Sequence, residues 1–278
     1  MKVKITMLVE NTVGTSQGLI GEHGLSFLVE HDDGKLLFDT GQGMALLNNA
    51  VKMGSSPQEF TRVVLSHGHY DHAGGVKTLV ESGARFDLIA HPDAFAEKVA
   101  MYPGKGFIPI GNPAGTEYLR ENGISVKLVS DPLELAPGIM TTGEIPMKTD
   151  FEKIEPMLFV RVNGKEMPDP LADDQALIID TNKGVVVLLG CAHRGVVNTL
   201  MRVQELTGKN TVYAVIGGFH LERAPEDQIK KTADALGEFG VRQICPSHCT
   251  GIRAVKHILD VFGNKFTAAN VGFALSCS

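Results

Sequence analysis

A chain of 278 residues with 43% hydrophobic and 21% charged residues has enough apolar content to bury a core, which excludes a disordered polymer. The formal net charge of −6 argues against a general binder of nucleic-acid backbones, and no run of about 18 apolar residues is present to cross a membrane. The four cysteines (Cys191, Cys245, Cys249 and Cys277) form no CxxC pair, and the opening "MKVKITMLVENTVG" reads as a first strand rather than a leader. They are therefore expected to be reduced thiols of a cytoplasmic protein, a disulfide among them being the minor alternative.

In chain order, "KVKITMLVE" alternates as a strand, and "LSFLVEHDDGKLLFDTG" places two apolar runs around Asp33-Gly34, a hairpin signal because the turn needs positive φ. "MALLNNAVKMG" reads as a helix stopping at Gly54, "RVVLSHG" as a short buried strand, "GGVKTLVESG" as a helix and "RFDLIAH" as a strand. From 92 to 172 proline and glycine become frequent ("YPGKGFIPIGNPAGTEY"), among short strand-like pieces. That stretch is expected to be an insertion or lid. The last third resumes the earlier style. A hairpin, "ALIIDTNKGVVVLLG", turns at Asn182-Lys183-Gly184 and a helix, "GVVNTLMRVQELTG", ends at Gly208. The strand "TVYAVIGG" leads to the helix "APEDQIKKTADALGEFG", with Pro225 at its start and Gly240 beyond its end. The strand "VRQICPSH", the helix "TGIRAVKHILDVFG" and a closing strand "FTAANVGFAL" complete the chain. Two strand-rich halves with surface helices predict a single layered α/β domain over 1–278 with two facing sheets.

The chemistry concentrates in "HGHYDH". His67 and His69 share one side of an extended strand end, while Asp71 and His72 follow the turn and can face a second point. A lone histidine is usually a solvated loop residue. Four potential ligands in six residues are a different matter, because imidazoles and carboxylates are what zinc and similar divalent ions prefer. Two ions about 3.5–4 Å apart are common in hydrolases.

These residues carry a resemblance. "HGHYDH" looks like the HxHxDH motif of the metallo-β-lactamase superfamily, "KLLFDTG" like its first motif and "CPSHCTG" like its last, with His248. The resemblance implies an αββα four-layer sandwich, here with an inserted middle segment. It also implies that Asp39 supports the metal loop without binding metal, and that one or two divalent ions are held, zinc first, with manganese, iron and magnesium open. The pattern departs from the family between these motifs. The third-motif histidine is expected before the hairpin, where "ADDQ" places Asp173 and Asp174. The bridging aspartate is expected after it, where Cys191 stands in "GCAH". His193 is the best replacement ligand and Asp174 a weaker one. Cys191 is either a thiolate ligand or a small buried residue.

Other candidates lie at strand ends. His220 in "GGFHLE" could be a ligand, a proton donor or a substrate contact, and His23 in "GEHGLS" could reach the same cleft. Asp71 could bind an ion or hold the reacting water. The helices after His193 and His248 could receive a phosphate, helped by Arg194, Arg253 and Lys256. His31 and His257 have no such context. The whole set resembles most the dihydropteroate-synthase-like branch of the superfamily. For that branch the implied reaction joins a dihydropterinylmethyl diphosphate to a ribofuranosyl-aminobenzene phosphate. The expected activity is first a metal-dependent hydrolase of a phosphate-containing or ester substrate, second this pterin transferase, and third a metal-bound sensor without turnover. The expected partner is a small molecule, phosphorylated or pterin-containing, with an oligomer left open.

Overall fold

A computed structural model describes residues 2–15 and 18–277. The first third forms β1 (Val3–Val9), β2 (Ser26–His31), β3 (Gly34–Phe38), β4 (Arg62–Val64) and β5 (Asp87–Ala90), with helices α1 (Leu46–Lys52), α2 (Tyr70–Ala73) and α3 (Gly75–Glu81). The middle holds β6 (Glu97–Tyr102), β7 (Gly106–Pro109), α4 (Thr116–Glu121), β8 (Ser125–Leu128), β9 (Glu134–Ala136), β10 (Ile139–Thr141), β11 (Leu158–Val162) and β12 (Lys165–Pro168). The last part holds β13 (Ala176–Thr181), β14 (Gly184–Leu189), α5 (Val196–Thr207), β15 (Val212–Gly218), α6 (Glu226–Glu238), β16 (Gln243–Ser247), α7 (Ile252–Phe262) and β17 (Ala274–Cys277).

Side-chain alternation explains the layers. On β14, Val186 and Leu188 point into one core with Ile5, Met7, Phe27, Phe38 and Ile179, while Val185, Val187 and Leu189 point into another. The first core lies between two sheets, one ordered β17-β1-β2-β3-β4-β5-β8 and one ordered β16-β15-β14-β13-β10-β9. Helices α1 and α3 cover the outer face of the first sheet through Leu46, Ala50, Val76 and Leu79. Helices α5, α6 and α7 cover the second through Leu200, Val203, Ile229, Leu236 and Ile258. Strands buried on both faces read as continuous apolar runs, which is why "GVVVLL" shows no alternation in sequence. The result is the αββα sandwich.

Residues 92–172 divide among three places. β8 joins the edge of the first sheet, β9 and β10 join the edge of the second, and β6, β7, β11 and β12 pair as a separate four-stranded sheet. The closing strand is shorter and later than "FTAANVGFAL" suggests: only Ala274–Cys277 pairs as a strand with β1. Gly272, at φ 92°, and the turn in which Phe273 N donates to Asn270 O break the earlier part, leaving single bridges at Phe266 and Val271. No helix among the described residues is long and apolar enough to cross a membrane.

The parallel strands set the site. β3 and β4 run parallel in one sheet, and β14, β15 and β16 in the other. Their carboxyl ends carry Asp39, then His67 and His69, then Cys191 and His193, then His220, then His248. Ligands of open α/β sheets gather at such ends.

Candidate metal centre

Asp39 organises the centre and faces no solvent. Its carboxylate accepts from Ser66 N and Ser66 Oγ, both at 2.7 Å, and from His72 Nδ1 at 2.7 Å. Ser66 Oγ, having given its only hydrogen to Asp39, accepts from His67 Nδ1 at 2.8 Å. These bonds commit Nδ1 of both rings, so neutral His67 turns an Nε2 lone pair inward and His72 points its Nε2 the same way. His248 is oriented likewise, its Nδ1 donating to Asn11 Oδ1 at 2.9 Å. Gly190 admits the second sheet to this spot, since a Cβ there would lie 2.0 Å from Ser66 Oγ.

The inward atoms form two groups. His67 Nε2, His69 Nδ1 and His193 Nε2 lie 3.0, 3.1 and 3.3 Å from one another. His248 Nε2 lies 3.2 Å from His72 Nε2 and 3.3 Å from Asp71 Oδ2, with 3.8 Å between His72 Nε2 and Asp71 Oδ2. Cys191 Sγ is 3.0 Å from His72 Nε2, and with His67 and His72 makes a further close set, so it stands between the groups.

The donor set fits divalent ions. Bonds of about 2.0–2.1 Å to a tetrahedral ion require nitrogens about 3.3–3.4 Å apart, close to the observed edges. Burial keeps His67 and His193 well below the ordinary imidazole range and pushes His69 down to about 3, so these rings are neutral and able to ligate. Burial opposes charge on His72 as well, but the Asp39 and Asp71 carboxylates outweigh it and lift it to about 9. Burial also opposes charge on Asp71, yet His72 and His248 hold it well below the carboxylate range. Without an ion His72 is thus an imidazolium set between two carboxylates, and an ion in the second group would displace its Nε2 proton. The Cys191 thiol is pushed up by burial and by neighbouring Cys249.

Carboxylates pin the backbone beside each ligand. Asp173 Oδ2 accepts from Gly68 N and Asp174 Oδ2 from Arg194 N, each at 2.8 Å, and Glu10 Oε1 accepts from His248 N at 2.7 Å. Neither Asp173 nor Asp174 joins a ligand group, which corrects the reading of Asp174 as a possible ligand. No histidine stands before the hairpin, but His193 Nε2 meets His67 and His69 from the far side of it.

The expected phosphate seat on α5 is also corrected. Its first-turn amides are taken by the buried Glu152, which accepts from Val197 N at 2.9 Å and Asn198 N at 2.8 Å. Arg194 is tied to the carbonyls of Pro170 and Ile145, and Arg253 to that of Ala224, so both serve the fold. Lys256 pairs with Asp260 on the surface.

His220 lies beside the first group, its ring centroid 4.1 Å from that of His193 and its Nε2 3.5 Å from Glu155 Oε1. Burial opposes its charged form, but Cys249 and Glu155 lift it to about 10. His23 does reach the cleft: its exposed ring stands 5.1 Å from that of His248 and 3.6 Å from Asp71 Oδ2. A cavity of about 150 Å³ opens over the ligands, walled by Tyr70, Tyr102, Ile110 and Leu158. A second, of about 280 Å³, shares Glu155, Met157, His220 and Arg223 with it and continues outward past Ile154 and Pro225. The sequence alone singles out none of Glu10, Lys98, Glu152, Glu155 or Arg223, since their partners are distant in the chain.

Fold and site together define an αββα sandwich with a histidine-rich candidate metal centre, and the chain belongs to the metallo-beta-lactamase superfamily, whose family model matches residues 19–248. Among individual relatives, it is 34% identical, over 97% of this chain and 95% of the other, to 7,8-dihydropterin-6-methyl-4-(beta-D-ribofuranosyl)-aminobenzene-5'-phosphate synthase of Methanocaldococcus jannaschii. An uncharacterized protein of the same organism is 30% identical over 96% of this chain and 98% of its own length. The crystal structure of Tm1679, a metal-dependent hydrolase of the beta-lactamase superfamily, superposes with a TM-score of 0.82 at 32% identity, covering 99% of both chains. The metallo-beta-lactamase fold protein YhfI from Bacillus subtilis shares the fold, with a TM-score of 0.58 at 15% identity over 99% of this chain and 100% of the other.

Proposed function

We propose that the chain is a cytoplasmic enzyme holding two divalent ions, zinc first, and hydrolysing a small phosphate-containing or ester substrate. The observation that supports this reading most is the pair of three-residue groups, with the Nδ1 of three imidazoles held by Asp39, Ser66 and Asn11 so that each ring points its Nε2 inward. His67, His69 and His193 would hold one ion, and Asp71, His72 and His248 the other. Cys191 faces both groups and would become a thiolate ligand if a bound ion displaced its proton to solvent. Bound ions would supply Lewis acidity toward water and toward a carbonyl or phosphoryl oxygen.

The chain's own residues do the rest. Asp71, anionic and facing the cavity, orients the attacking water. His220, backed by Glu155 and lining the same cavity, contacts the departing group. The sheet of β6, β7, β11 and β12, through Tyr102, Met157 and Leu158, serves as the lid that excludes bulk water. Purified protein should hydrolyse a panel of phosphate and carboxylic esters only when metal-loaded, and His69→Ala should remove that activity; an active metal-stripped protein contradicts the reading.

A second reading is the joining of a dihydropterinylmethyl diphosphate to a ribofuranosyl-aminobenzene phosphate. It is supported by the synthase relative, whose similarity extends over nearly all of both chains, and by the two connected cavities, which suit a two-part substrate. Pyrophosphate release that requires both the pterin and the aminobenzene partner supports the transferase. Release indifferent to the amine supports the hydrolase.

A further inference from the structure

Lys98 is a lysine on β6 with a side chain only 1% exposed. An ammonium leaves water unfavourably unless it is paired and hydrogen-bonded, so its partners must explain it. Nζ donates to Asp169 Oδ2 at 2.7 Å and to Asp173 Oδ1 at 2.9 Å. The other oxygens hold backbone: Asp169 Oδ1 accepts from Leu171 N, and Asp173 Oδ2 from Gly68 N, each at 2.8 Å. Gly68 is the residue between His67 and His69. It admits no side chain, since a Cβ on it would lie 2.2 Å from Ala94 O. The residue that follows β7 also grips the loop beyond this point, where Tyr70 N donates to Ile110 O at 2.9 Å.

We infer that Lys98 is a positioning residue for the first ligand group: by pairing with Asp173 it lets a buried carboxylate hold Gly68, and so fixes the spacing of the His67 and His69 rings. The sheet that walls the cavity is thereby wired to the metal loop. This rests on the two-ion reading above. Residues that orient metal ligands typically matter 10–100-fold for metal affinity.

The test uses the full chain loaded with cobalt(II), read by visible absorption and by competition with a chelator. Lys98→Met should bind the ion of the first group 10–100-fold more weakly, with an altered absorption band, while the second ion is retained. Asp169→Asn, which keeps the Lys98–Asp173 contact, should shift both readouts in the same direction but less. Lys209→Met, at an exposed pair with Asp180, should match wild type. A folded Lys98→Met protein with wild-type affinity and spectrum overturns the inference. Should Lys98→Met not fold, Asp169→Asn decides: weakened binding supports it and unchanged binding overturns it. Wild type that takes up no cobalt would instead sink the two-ion reading, and this inference with it.

Discussion

Asp173 and Asp174 are neighbours in sequence whose carboxylates fasten two different ligand loops, Asp173 through Gly68 N and Asp174 through Arg194 N. One dipeptide just before β13 therefore sets where His69 and His193 meet, 3.1 Å apart across the sandwich.

Asp174 gives a pH signature. Burial and the charge on Asp173 outweigh the bond from Arg194 N and lift its carboxyl to about 7 from an ordinary 3.8. A carboxyl raised in the fold stabilises below its unfolded value, and that contribution is lost as pH rises through the folded one. The metal-stripped protein should therefore lose stability from this group between about pH 4 and pH 7, by at most about 4 kcal/mol. Asp174→Asn keeps an acceptor for Arg194 N–H without the charge. Its melting temperature should rise relative to wild type between pH 5 and pH 8 and converge with it below pH 4. Parallel melting curves at every pH would contradict the assignment.

Asp39→Asn should weaken metal binding about 10–100-fold without unfolding the chain, because Asp39 commits the Nδ1 of both His67 and His72. Metal-buffer titration followed by circular dichroism checks both halves. Unchanged affinity would show that the Asp39–Ser66–His67 chain is not what orients the ring.

Much of this was legible in "HGHYDH", because its ligands are contiguous and β4 delivers them to one edge. His248 was legible for the same reason, at the end of an apolar strand. His193 was legible as a replacement ligand, but which histidines it meets was not, since that depends on two sheets meeting at Gly190 and the family pattern places the third histidine before the hairpin. Still less visible were the pins. Glu152 acts 45 residues away on Val197, Lys98 acts 75 away on Asp173, and Glu10 acts 238 away on His248. Their local contexts are those of ordinary surface charges, and only the folded chain brings each to a buried amide or ion pair. The tail after Phe266 misled by composition: its β-branched and aromatic residues suit a strand, but Gly272 turns the chain before pairing with β1 resumes.

Glu152→Ala tests one such pin directly. It leaves Val197 N–H and Asn198 N–H without a partner inside the fold, at a cost of about 2 kcal/mol. In a chain of this size that is a fall in melting temperature of roughly 4–8 °C. The same variant should leave the first-group cobalt spectrum close to wild type, since α5 begins after His193. No change in melting temperature would mean those amides are satisfied otherwise.

The most direct measurement is the metal content of the purified protein together with a crystal structure showing anomalous scattering at its metal edge. Two ions per chain are expected, one within bonding distance of His67, His69 and His193 and the other of Asp71, His72 and His248. Chelation should remove both and activity together, with add-back restoring them. Protein that is fully active without bound metal, or ions that lie away from these six side chains, would contradict the two-ion centre.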